Sequence, residues 1–105
     1  MNQIILPTKA IGETITYTIT FADRLLAGEA INGASTSAFV FAGNDPVPGN
    51  ILNGAPTYTA TSLSQSVTAG VAGCIYTIVF VVTGTLSHNY IKVAQLSVID
   101  PSAPF

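Results

Sequence analysis

Hydrophobic and polar positions alternate along most of this chain, which is the pattern of β-strands. From Thr14 to Phe21 one face carries only threonines, and the opposite face carries Ile15, Tyr17, Ile19 and Phe21. Ala34 to Phe41 alternates again, with Phe39 and Phe41 on the same side as Ser35 and Ser37 and a smaller set, Ala34, Thr36, Ala38 and Val40, on the other. Because successive side chains of a strand point to opposite faces, both segments are predicted to be strands, the first with one buried and one solvated face.

Five more segments are strand candidates: Gln3 to Leu6, Thr57 to Leu63, Gln65 to Thr68, Cys74 to Thr83 and Tyr90 to Ile99. The first ends at Pro7, which lacks a backbone donor and therefore suits the edge of a sheet. Cys74 to Thr83 is apolar on both faces, which predicts a central strand that is covered on both sides. No segment carries a convincing helical period.

Turn residues separate these segments, most densely from Gly43 to Asn50, which we expect to be an exposed loop. Leu25 and Leu26 break the alternation and are expected to close one end of the core. About seven short strands with regular turns are typical of an immunoglobulin-like antiparallel β-sandwich, with a jelly roll or small β-barrel as the alternative. Tyr76, near the start of the second-last strand, is predicted to form a tyrosine corner bonded to the preceding loop.

The length of 105 residues favours a single domain over residues 1–105, with short extended termini at about residues 1–8 and 100–105. Charged residues make up only 8% of the chain, about a third of the ordinary share of roughly 25%. A nearly uncharged surface resists association weakly. We therefore expect the protein to pack against neighbours, including copies of itself.

The charge pattern and the apolar runs exclude several partners. Lys9, Arg24 and Lys92 are dispersed along the chain, whereas a nucleic-acid binder needs several cations on one face, so no nucleic-acid partner is expected. The longest apolar stretch, Ile75 to Val82, is too short to span a bilayer, so no membrane is expected. The amino-terminal apolar run stops at Pro7, which argues against a secretory signal.

No pattern in the sequence supplies catalysis, a metal site or a cofactor site. His88 stands in a turn without an orienting acid or nucleophile nearby in sequence, so the prediction is that the protein is not an enzyme. Cys74, the single cysteine, cannot form an internal disulfide and is expected to be a buried apolar residue. Calcium binding is disfavoured for the loop residues Asp23, Glu29, Asn44 and Asp45, and Asp23 and Asp45 are expected to make local turn hydrogen bonds instead.

Two surface features leave alternatives open. The threonine face, formed by Thr14, Thr16, Thr18 and Thr20, is either a docking surface or a solvated one. A glycan-binding module is a second interpretation of the sandwich, with Tyr17, Tyr58 or Tyr90 stacking on sugar. Tyr58 is the best candidate of the three because it lies in the most polar strand.

Two spaced motifs resemble small immunoglobulin-like virion proteins of tailed bacteriophages. The first comprises Ile15, Thr16, Tyr17, Asp23, Leu25, Gly28, Glu29 and Ile31, and the second comprises Thr68 to Gly73 followed by Tyr76, Thr77 and Ile78. The chain differs from that pattern in having Ala38 or Phe39 where the relatives often have tryptophan. It also lacks their arginine-containing turn before the last strand.

The resemblance implies a non-catalytic structural protein of the virion, assembled in the host cytoplasm and acting by protein–protein contacts. A tail-fibre adaptor or connector is the first interpretation, and a capsid decoration (cement) protein of the head is the alternative. Expected partners are tail, fibre or capsid proteins. Extended apolar termini can add a strand to a neighbour's sheet or lie in its groove, so the candidate contacts are the two termini and one loop: Ile4, Ile5, Leu6, Pro7, Asp45, Pro46, Val47, Pro48, Pro101, Pro104 and Phe105.

Overall fold

The protein is an all-β sandwich, seen in a computed structural model that describes residues 4–100. Two sheets form, one in the order β1-β8-β7-β4 with β2 also paired to β8, and a smaller one in the order β3-β6-β5. The elements are β1 (Ile4–Ile5), β2 (Lys9–Ala10), β3 (Ile15–Thr20), β4 (Ile31–Ala42), a 3-10 helix (Pro48–Ile51), β5 (Thr57–Tyr58), β6 (Ser62–Val67), β7 (Ile75–Gly84) and β8 (Asn89–Ile99).

The strand order is that of an immunoglobulin-like fold. β4, β7 and β8 are antiparallel neighbours in the larger sheet, and β3, β6 and β5 are antiparallel neighbours in the smaller one. These correspond to the C-F-G and B-E-D sets of immunoglobulin sandwiches. The short β1 and β2 run parallel to β8. The predicted all-β sandwich is therefore confirmed, with a strand order that matches the immunoglobulin-like type.

The core lies between the two sheets and uses the apolar face predicted for Thr14 to Phe21. On β4 the inward residues are Ala34, Ala38 and Val40, whereas Phe39 and Phe41 are exposed on the outside. Full burial of a Val, Leu, Ile or Phe side chain stabilises the fold by roughly 1.5–3 kcal/mol. The smaller sheet and the residue after β3 contribute Tyr17, Ile19, Phe21, Leu63 and Val67; the larger sheet contributes Tyr76, Ile78, Phe80, Val82, Ala94, Leu96 and Val98.

Tyr76 forms the predicted tyrosine corner. Its buried hydroxyl accepts a hydrogen bond from the backbone N–H of Val71 (2.8 Å) and donates one to Oδ2 of Asp45 (2.7 Å). Burial, followed by the bond to Asp45, raises the pKa of Tyr76. The corner thus joins the start of β7 to the loop before it and to the loop after β4.

Two local expectations are corrected. The predicted strand from Thr57 to Leu63 is interrupted, because the N–H of Thr59 bonds to the carbonyl of Ser62 (2.9 Å) and turns the chain between β5 and β6. Leu25 and Leu26 were both predicted to close one end of the core. Leu25 packs against the core, whereas Leu26 is exposed.

The prediction that β7 is covered on both sides is wrong for the part of the chain that the structure describes. β7 is central within its sheet, and its inward residues are fully buried. Its outward side chains, including Val79 and Val81, are only half-buried. The sequence of β7 is thus suited to burial on both faces, but this fold covers only one of them.

Candidate functional site

The outward side of the larger sheet carries a group of apolar side chains, here named the outer apolar face. Phe39 and Phe41 on β4, Ile91 on β8 and Ile5 on β1 are exposed, with Ile5 at 71%. Half-buried residues of β7 and β8 lie between them. The outer apolar face comprises Ile5, Phe39, Phe41, Ile75, Val79, Val81, Ile91 and Val93.

Strand register places four β-branched residues at the centre of this face. Val79 lies opposite Val93, and Val81 lies opposite Ile91. Cross-strand neighbours on one face of a sheet contact each other. The four side chains consequently form one compact aliphatic patch.

The outward positions around this patch are polar but carry no charge. β4 contributes serines, and β7 and β8 contribute hydroxyl and amide side chains. Interfaces have an apolar centre that is depleted of charge and a polar rim, and this face has that organisation. The rim residues are Ser35, Ser37, Thr77, Thr83, Asn89, Gln95 and Ser97.

The opposite side of the sandwich differs from the outer apolar face, because its hydroxyl groups bond to one another. Thr18 Oγ1 lies 2.9 Å from Ser64 Oγ across the β3–β6 pair. Thr14 Oγ1 similarly lies 3.0 Å from Thr68 Oγ1. Hydroxyls paired in this way offer a partner fewer unsatisfied groups, so docking on the threonine face stays a prediction with less support than the outer apolar face.

A polar cluster at one end of the sandwich centres on the buried carboxylate of Glu29. The Tyr90 hydroxyl donates to Oε1 (2.7 Å), and the N–H of Leu26 donates to the same oxygen (3.1 Å). His88 Nδ1 lies 3.3 Å from Oε2. The bond from Tyr90 is the largest cause that lowers the pKa of Glu29, and the same bond raises the pKa of Tyr90.

This cluster supplies the orienting acid for His88 that the sequence pattern did not reveal. Glu29 follows a loop after β3, whereas His88 and Tyr90 come from the β7–β8 turn and the start of β8. Gly84 makes room for the carboxylate, since a side chain there would collide with Glu29 Oε2. His88 Nδ1 also lies 3.4 Å from the Tyr90 hydroxyl, which itself donates to Glu29.

The acidic loop residues do not gather around one point. Asp23 pairs with Lys92 (2.7 Å), and that hydrogen bond is the largest cause that lowers its pKa. Asp45 lies at the other end of β7 from Glu29 and accepts from the N–H of Val47 (2.9 Å), the local turn bond that was predicted. Within the described residues there is no cluster of His, Cys, Asp or Glu that could hold a metal ion.

The predicted contact residues in the amino-terminal segment differ in how exposed they are. Ile4 packs against the core and Leu6 is buried, whereas Ile5 belongs to the outer apolar face. Pro7 is exposed, and its carbonyl accepts from the Tyr17 hydroxyl (2.9 Å). Because β1 already pairs with β8, this segment is not a free strand for a neighbour's sheet.

The predicted loop contacts are more accessible. Pro46 and Val47 are exposed, and Pro48 begins the 3-10 helix. Asp45 is half-buried because it supports the tyrosine corner. The remaining contacts, Pro101, Pro104 and Phe105, lie outside the described residues, and contact with a partner stays a prediction for the whole set.

Tyr58 has the most accessible ring of the three tyrosines that were candidates for sugar stacking. Its ring is exposed, and its hydroxyl donates to the carbonyl of Asn32 (3.0 Å). Tyr17 is buried in the core, and Tyr90 is half-buried with its hydroxyl on Glu29. The glycan interpretation therefore rests on Tyr58.

Cys74 is a free, buried cysteine. No helix within residues 4–100 is long and apolar enough to cross a membrane. In comparisons with known proteins, no family model matches this chain and no curated protein is significantly similar to it.

Proposed function

We propose that the protein is a non-catalytic structural component of a tailed-phage virion, which acts by protein–protein contacts as a tail-fibre adaptor or connector. The observation that carries this proposal is the outer apolar face. Eight apolar side chains lie on the outside of a sheet whose three long strands carry no charge at their outward positions, where a domain that acts alone normally presents polar residues. Large exposed apolar patches mark interaction sites. The loose resemblance of its motifs to phage virion proteins supports the virion as the setting.

Capsid decoration is the alternative location for the same kind of module. An adaptor and a decoration protein both need an adhesive surface, so the geometry of the face does not separate them. The loop at Pro46 and Val47 and the residues Pro101 to Phe105 are further contacts proposed for either location.

Mass spectrometry of purified virions tests the proposal. We expect the protein in density-purified particles at a constant ratio to the major capsid protein. Separating heads from tails before the measurement distinguishes an adaptor from a decoration protein. Detection of the protein in infected cells, together with its consistent absence from purified particles, would contradict a virion role.

The exposed ring of Tyr58 supports a glycan-binding module as a second candidate function. An exposed aromatic ring beside a polar strand provides a stacking platform for sugar. A glycan array would test this, with Tyr58→Ala as the matched variant. Binding that disappears in the variant would support the glycan function, and an array without signal would remove it.

A further inference from the structure

We propose that the outer apolar face binds the same face of a second copy of this chain, with the two-fold axis parallel to the strands and between β7 and β8. The proposal deepens the proposed function, because it names a partner for the surface that carries it. The arguments are the register of the face, its lack of charge and its area.

Register makes the face complementary to itself. Residues that are partners on neighbouring strands form a row across the sheet. A two-fold axis parallel to the strands leaves each row at the same position along the strands and exchanges the left and right halves of the row. Val79 of one copy then faces Val93 of the other, and Val81 faces Ile91, because these pairs share rows. Phe39, paired with Thr77, lies in the row of Gln95 and Ile5. Phe39 therefore faces Ile5 of the second copy across the axis.

The absence of charge removes the usual obstacle to pairing two identical surfaces. In a symmetric interface a charged residue close to the axis also lies close to its own copy, and contacts between like charges oppose association. The outward positions of β4, β7 and β8 contain no Asp, Glu, Lys or Arg. A charged partner surface would find no opposite charge on this face to pair with.

The size of the face suits a dimer of modest affinity. β7 and β8 contain 10 and 11 residues, which extend for about 33 Å at about 3.3 Å per residue. The three long strands β8, β7 and β4 are together about 14 Å wide at about 4.8 Å per strand. Two such faces bury about 950 Å² in total, which is the size of a weak or transient interface. Sheets stack face to face about 10 Å apart with nearly aligned strands, as this pairing requires.

Light scattering during size exclusion, together with analytical ultracentrifugation, tests the dimer in purified recombinant protein. We expect the wild type to dimerise with a micromolar Kd. Val79→Lys and Val93→Glu should each raise the Kd at least about 100-fold, because each would bury an unpaired charge near the axis. Thr18→Lys and Ser64→Glu are matched controls, since these positions pair on the opposite face, and both should dimerise like the wild type.

Mixing the two variants tests the predicted axis. In a heterodimer, the lysine introduced at position 79 of one copy would face the glutamate introduced at position 93 of the other. An equimolar mixture of Val79→Lys and Val93→Glu should therefore dimerise more tightly than either variant alone. Circular dichroism and thermal unfolding verify that both variants fold. As a second measurement, Val79→Cys should be cross-linked between copies by a short bis-maleimide, whereas Thr18→Cys should not.

Three results would overturn the inference: a wild type that stays monomeric at about 100 μM, dimers that persist in both charged variants, or a mixture that dimerises no better than its components. None of these depends on phage particles. A monomeric protein that is found in purified virions would refute the dimer and leave the virion role intact, and a dimer that is absent from particles would do the reverse.

Discussion

Tyr76 shows how one hydroxyl connects three segments of this small sandwich. It accepts from the N–H of Val71 and donates to Asp45, while its ring is fully buried between the sheets. Removing the oxygen would leave a backbone donor and a carboxylate without this partner. A buried polar group that loses its partner costs more than the bond itself contributed.

Tyr76→Phe is therefore expected to lower the free energy of unfolding by about 1–3 kcal/mol, measured by urea denaturation. Tyr58→Phe is the matched control, because its exposed hydroxyl also bonds to one backbone carbonyl. The control should lose no more than about 0.5 kcal/mol. Equal losses in the two variants would show that the corner does not stabilise the fold.

Glu29 is expected to make stability depend on pH. The Tyr90 hydrogen bond lowers the pKa of Glu29 in the folded state below its ordinary value. The stabilisation is thus fully present above the ordinary pKa of about 4.3 and is lost as the pH falls through the lower, folded value. Urea midpoints between pH 7 and pH 2.5 should consequently fall more steeply in the wild type than in Glu29→Gln.

Tyr90→Phe provides the complementary variant for this measurement. Without the hydroxyl, the folded pKa of Glu29 rises, so the acid loss of stability should be smaller than in the wild type while Glu29 is still present. Parallel pH curves for the wild type, Glu29→Gln and Tyr90→Phe would contradict the role given to this hydrogen bond.

At the scale of elements, the junction between β4 and β7 requires a glycine. Gly43 follows β4 with a φ of 102°. A Cβ added there would lie 2.6 Å from Cys74 Sγ and 2.9 Å from Cys74 Cα. Both the left-handed backbone and the close approach to the chain before β7 therefore exclude a side chain.

Gly43→Ala is expected to destabilise the protein more than Gly54→Ala. Gly54 also has a positive φ, of 78°, but open space surrounds its Cα. The control should lose about 1–2 kcal/mol for the backbone conformation, and Gly43→Ala about 1–3 kcal/mol more for the overlap. Thermal or urea unfolding measures both, and equal losses would mean that the junction relaxes easily.

Most strand positions were predictable, because alternation and turn residues are local properties of the sequence. The inward face of Thr14 to Phe21 follows from a period of two, whereas the same period does not say that Ala34 to Phe41 turns Phe39 and Phe41 outward. The meeting of Glu29 with His88 was not predictable, since it depends on how two distant turns reach the same end of the sandwich. The uncovered side of β7 was also missed, because a sequence suited to burial does not say whether the same chain or a partner covers it.

For the whole molecule, scarcity of charge should make association insensitive to salt. Exposed charges lose much of their interaction between low and high ionic strength, but the outer apolar face has none. We expect the dimer Kd to change by less than about threefold between about 50 and about 500 mM NaCl, measured by ultracentrifugation. A steep rise in Kd with salt would indicate that another, charged surface joins the copies.

A chain without Pro101 to Phe105 tests whether these residues contribute to assembly into particles independently of folding. Among the described residues the core cluster runs from Leu6 to Val98, and we expect the shortened chain to keep its free energy of unfolding within about 0.5 kcal/mol. Its incorporation into particles should fall, because these residues are proposed contacts. Quantitative mass spectrometry of virions measures this, with Phe105→Ala as a milder variant, and full incorporation of the shortened chain would remove these residues from the proposed contacts.

The parallel pairing of β1 and β2 with β8 determines how the domain would respond to mechanical load. Ile4 pairs with Ala94 and Lys9 with Val98, so the amino end of β1 and the carboxyl end of β8 point in opposite directions. A pulling force applied at these two points acts along the strands and loads their hydrogen bonds together in shear, rather than opening them one after another. The two short pairings of β1 and β2 with β8 would therefore resist such a force together.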